Sequence, residues 1–88
     1  MTHDEIKEYL IEHGHEDALI FENPDFDSAF AGVTHDGRAL YDWNKMVESL
    51  QDEGMTDEEA IEFIDYNTLR SIPYYGDKAP VVFYPVEM

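Results

Sequence analysis

The sequence predicts one α+β domain: a small, mostly antiparallel sheet of about four strands with three helices, in the order α-β-β-β-α-α-β. Three observations carry this expectation. Two capping boxes, Thr2 with Glu5 and Thr56 with Glu59, head amphipathic runs. An Asp36-Gly37 turn signal lies between two short apolar segments. No repeat, low-complexity linker or composition shift divides residues 1–88, so they form a single acidic domain.

The elements follow in order. Thr2 to His13 reads as the first helix, with Ile6, Tyr9, Leu10 and His13 spaced i, i+3, i+4, i+7 and Gly14 as its stop. Ala18 to Glu22 is a strand candidate, because Leu19, Ile20 and Phe21 form an apolar run before the turn signal Asn23-Pro24-Asp25. Ser28 to Thr34 and Arg38 to Asp42 read as a hairpin. A two-residue Asp36-Gly37 loop sets Val33 opposite Leu40 and Gly32 opposite Tyr41, with the Tyr41 ring lying across bare glycine backbone. The same register brings Phe30 near Trp43 and leaves His35 and Arg38 solvated beside the turn.

Asp42 can cap the second helix, which runs to about Glu53 with Trp43, Met46, Val47 and Leu50 on one face. Gly54 closes it. The third helix lies within Gly54–Arg70. Thr56 caps it, Met55 and Ala60 are placed as a hydrophobic staple, and Ala60, Ile61, Phe63 and Ile64 form its apolar stripe. Pro73 requires an end before it. Asn67 and Thr68 favour local backbone bonds, and Arg70 suits the last carbonyls and an acidic neighbour. Val81 to Tyr84 is the last strand, and the bracketing Pro80 and Pro85 argue for an edge position or a short pairing.

Composition narrows function. Hydrophobic residues make up 43% and aromatics 14%, too much for a disordered acidic chain. The absence of cysteine excludes disulfides and thiolate chemistry and fits a reducing cytoplasm. No apolar run reaches membrane-spanning length, and the acidic N-terminus is unlike a signal peptide. With 21 acids against 5 bases, the net charge of −16 repels nucleic acid and anionic membranes directly. Positively charged protein surfaces are the complementary partners.

Motifs for chemistry are sparse. His13 and His15 flank a glycine and lack the i, i+4 helical spacing of a zinc pair, so His13 reads as a helix C-terminal residue. Asp25-Phe26-Asp27-Ser28 lacks the central glycine and twelfth-position glutamate of a calcium loop and reads as a turn. No nucleophile elbow or phosphate loop is present, so neither catalytic residues, a metal nor a cofactor is expected. Tyr74 and Tyr75, in a Pro-Tyr-Tyr-Gly loop, either anchor a partner or cover the sheet edge.

The acidic surface is the main binding candidate. Glu48 to Asp65 holds eight acids and no base. Glu58, Glu62 and Asp65 fall at i, i+4, i+7, with steps of roughly 4.5–6 Å along a helix axis. Asp52, Glu53 and Asp57 stand beside them in sequence. Such a row can substitute for a line of phosphates in a basic channel. The alternative is a solvated face whose charge serves solubility.

The segments from Phe21 to Leu50 and from Glu53 to Pro85 resemble small acidic proteins encoded by bacteriophages and prophages. The resemblance rests on Glu59-Ala60-Ile61-Glu62-Phe63-Ile64, on Tyr66-Asn67-Thr68 with Arg70, and on Pro73-Tyr74 ahead of Ala79-Pro80. It carries no catalytic residue. It implies a phage-derived protein in a bacterial cytoplasm. By analogy of charge and origin, it suggests an anti-defence inhibitor, anti-CRISPR or anti-restriction in type, that works as a DNA mimic. The alternative expectation is a phage accessory or structural protein whose acidity only solubilises it.

Overall fold

The computed structural model describes residues 1–86, and within them the chain forms three helices and a three-stranded mixed sheet. Helix α1 spans His3–Glu12. Thr2 Oγ1 accepts from the Glu5 N–H, and the Glu5 carboxylate accepts from the Thr2 N–H, so two otherwise orphan donors are satisfied. Ile6 and Leu10 are buried, while Tyr9 is half-buried. A short 3-10 turn at Asp27–Ala29 leads into β1, Phe30–Val33. Strand β2 covers Ala39–Asp42 and α2 covers Trp43–Asp52, with the Asp42 side chain accepting from the Lys45 N–H. Helix α3 spans Asp57–Phe63 and carries the second capping box. Strand β3 is Val81–Phe83.

The sheet corrects the four-stranded, mostly antiparallel expectation. Its order is β1-β2-β3, with β1 and β2 antiparallel but β2 and β3 parallel. Both α2 and α3 intervene between β2 and β3, and a long helical connection returns the chain in the same direction. The edge position expected for β3 holds, with Pro80 fully buried at its start.

Ala18 to Glu22 forms no strand. Its apolar residues are consecutive, not alternating, and Ile20 and Phe21 both enter the core. Its backbone bonds are made singly: the Leu19 N–H donates to the Lys78 carbonyl and the Phe21 N–H to the Tyr41 hydroxyl.

The hairpin forms, but one residue out of the expected register. Val33 faces Ala39, Gly32 faces Leu40, and a bulge then lets Phe30 face Tyr41. The Thr34 N–H donates to the Arg38 carbonyl, so three residues, not two, form the loop. Gly37, at φ +82°, supplies the left-handed position that closes such a loop. The Thr34 side chain reinforces it, accepting from the Arg38 N–H and donating to Asp36. That hydrogen bond holds the Asp36 carboxyl below its ordinary value. Phe30 therefore packs edge-on to Tyr9 and Tyr41, and Trp43 meets Tyr84 instead. Arg38 is not free in solvent, because its Nε donates to the Ala79 carbonyl.

The third helix runs past Phe63 with a change of winding. A π turn occupies Ile64–Leu69, and a 3-10 turn follows at Ile72–Tyr75. Ala60 and Ile64 are fully buried, and Ile61 and Phe63 pack against the core from its border. Asn67 Nδ2 donates to the Phe63 carbonyl, the local bond its position favours. Arg70 has no acidic partner among the described residues; its guanidinium lies 4.4 Å from the centre of the Tyr66 ring. The core joins Ile6 and Leu10 of α1, Phe21 and Phe26, Tyr41, Met46 and Leu50 of α2, and Ile64.

Candidate functional site

The acidic face is built by the turn between α2 and α3. Gly54, at φ +105°, and the Met55 N–H bonded to the Leu50 carbonyl bring the start of α3 back beside the end of α2. Gln51 Nε2 donates to Asp57 Oδ1 across that turn at 3.4 Å. Asp52, Glu53, Asp57, Glu58, Glu62 and Asp65 are all exposed. Glu48 and Asp57 line one groove between the two helices, and Glu59, Glu62 and Tyr66 line another on α3. Asp65 lies in the π turn, where i→i+5 winding departs from the α-helical phase that aligns Glu58 with Glu62.

Among the described residues, Lys7 pairs with Glu22, Arg38 with Asp36 and Lys78 with Asp17, and no ion pair reaches the acids from Glu48 to Asp65. The Glu59 carboxyl is held below its ordinary value, first by the Thr56 backbone N–H that it accepts.

The two tyrosines have different environments. Tyr74 is 91% exposed. Tyr75 is half-buried, meets Phe21 edge-on at 6.1 Å, and lines an apolar groove with Leu10, Ile11 and Leu19.

A second polar constellation joins residues far apart in sequence. His3 Nδ1 lies 2.8 Å from Asp27 Oδ1, and His3 Nε2 lies 2.7 Å from Glu22 Oε2. The Asp27 hydrogen bond, opposed by desolvation and aided by Glu22, raises the imidazole above its ordinary 6.5. Asp25 accepts from the Asp27 N–H, and a ring nitrogen of His3 and one oxygen each of Asp25 and Asp27 all lie within 4.8 Å of one another. No local pattern links His3 to Asp27, because 24 positions separate them. The signals legible nearby are the Asn23-Pro24-Asp25 turn and the alternating carboxylates Asp25 and Asp27, which the fold brings to His3 at the start of α1. The His13 ring behaves as a C-terminal residue of α1: it stacks on Tyr9 at 4.1 Å, and its Nδ1 lies 2.8 Å from the Tyr9 carbonyl.

Fold and surface together define a small α+β domain whose second and third helices carry exposed carboxylates that, among the described residues, make no ion pair. No protein-family model, curated protein or solved structure matches the chain. Among the described residues, no helix is long and apolar enough to cross a membrane.

Proposed function

We propose that this chain is an acidic binding protein of the bacterial cytoplasm, phage-derived as the resemblance implies, that inhibits a host defence protein. It does so as a DNA mimic, by occupying a positively charged nucleic-acid-binding site; a CRISPR nuclease complex is the target class. It acts by binding and not by catalysis. The observation that carries this reading is the run of exposed carboxylates on α2 and α3 to which, among the described residues, no cation is paired. Held without counter-cations, these groups retain their full attraction for a basic channel, and their bound counterions are released on docking. Glu58 and Glu62 form the centre, flanked by Asp52, Glu53, Asp57 and Asp65. Exposed Tyr74 supplies an aromatic contact of the kind favoured at interfaces.

The test is inhibition of a purified CRISPR nuclease complex by wild type and by the Glu58→Lys/Glu62→Lys variant, at low and high salt. The expected outcome is inhibition by wild type that weakens steeply with salt, and loss of inhibition in the double variant with its fold intact by circular dichroism. A double variant that inhibits like wild type removes this face as the binding surface. Salt-insensitive binding by wild type favours instead the accessory reading, in which apolar contacts dominate.

A further inference from the structure

His3 is the first residue of α1, and its ring crosses to the loop that carries Glu22, Asp25 and Asp27. We propose that His3, Asp25 and Asp27 bind one divalent transition-metal ion of the zinc type, with Glu22 orienting the His3 ring. This site is separate from the acidic face of α2 and α3 and does not depend on its function.

Four features support it. First, the donor set is mixed. One imidazole nitrogen with two carboxylates suits zinc and its neighbours, whereas calcium and magnesium favour oxygen donors alone. Second, the two ring nitrogens have different partners. Asp27 stands at Nδ1, and Glu22 stands at Nε2. With a metal taken at Nδ1, the Nε2–H donates to Glu22, the carboxylate–histidine–metal arrangement that fixes a ligand's tautomer and raises its basicity. Third, three carboxylates surround one imidazole. Protonating His3 offsets only one of their charges, whereas a divalent ion offsets two. Fourth, the loop is anchored. Phe26, between the two aspartates, is 1% exposed and meets Phe21 edge-on at 5.8 Å.

The closure required is small. Tetrahedral zinc ligands at about 2.0–2.1 Å from the metal stand roughly 3.3 Å from one another. The three donor atoms already lie within 4.8 Å of each other. The Asp27 oxygen must move outward from its 2.8 Å hydrogen bond, and exposed Asp25 can approach by rotating its side chain. Water completes the fourth position, as in three-ligand zinc sites. Binding would tie the start of α1 to the loop before β1.

Isothermal titration of the metal-free chain with zinc chloride tests this, together with imidazole nitrogen NMR during the titration. The expected result is one saturable site, with the ring signals of His3 shifting and those of His13, His15 and His35 unmoved. His3→Gln should abolish saturable binding, and Glu22→Gln should weaken it roughly 10- to 100-fold, as for other orienting partners. A His13→Gln/His15→Gln variant should bind as wild type does. The proposal is overturned if wild type shows no saturable site, if His3→Gln binds as tightly, or if the shifting signals belong to His13 or His15. Should His3→Gln not fold, the assigned ring shifts of the wild type decide.

Discussion

Tyr41 shows what one residue contributes here. Its ring is fully buried, 4.7 Å from Phe21 and 5.9 Å from Phe30, and its hydroxyl accepts from the Phe21 N–H at 3.3 Å. Burial pushes the phenol well above its usual 10, so it remains neutral. Tyr41→Phe keeps the ring but leaves the Phe21 N–H without a partner, which costs about 1–3 kcal/mol. Chemical denaturation should show this as a lower midpoint with an unchanged slope. Burial alternates along β2, with Ala39 and Tyr41 inward, and the partner of the Tyr41 hydroxyl comes from a segment 20 positions away. Gly37 was legible only in part. Asp36-Gly37 announced a turn, but the Thr34–Arg38 closure sets the loop length, and the loop length sets the register.

At the scale of the element, the two capped helices were the most legible parts, because a capping box is a local device whose partners lie three residues apart. Thr56→Ala should destabilise the protein by about 1 kcal/mol, read from thermal or urea unfolding. The same motif imposes a pH dependence. Glu59 and Glu5 have folded values below their ordinary 4.5, chiefly through the backbone N–H groups of Thr56 and Thr2. Their stabilisation is therefore present above about 4.5 and is lost as pH falls through the lower folded values. Melting curves should show Glu59→Gln less stable than wild type near neutral pH, with the gap closing in acid. The π turn at Ile64–Leu69 gave no such local signal. Ile64 and Thr68 within it are both buried.

For the whole molecule, charge is the dominant variable. A net charge of −16 on a domain this small opposes its own folding. Raising sodium chloride from about 0.02 to 0.5 M should raise the melting temperature, because the screening length falls well below the molecular dimensions. Glu58→Lys/Glu62→Lys should be at least as stable as wild type at low salt, since it relieves repulsion among carboxylates that make no ion pair among the described residues. A melting temperature indifferent to salt would show that the acids are too dispersed to act together. The Glu48–Asp65 run and its want of internal bases were visible in the sequence; that no cation from another segment pairs with it was not, since among the described residues Lys7, Arg38 and Lys78 find their acids elsewhere in the fold.

The sequence by itself determined the class, α+β, the caps and apolar stripes of three helices, the hairpin's existence and the excess of acid. All of these depend on residues within a turn or two of one another, or on composition alone. Tertiary structure decided the rest: that Ala18–Glu22 packs without pairing, that β3 lies parallel to β2, and that the hairpin slips by one residue. It also decided that Tyr75 faces inward while Tyr74 does not, and that His3 meets Glu22 and Asp27. These outcomes rest on contacts between distant segments, where competing pairings have similar local propensity and burial selects among them.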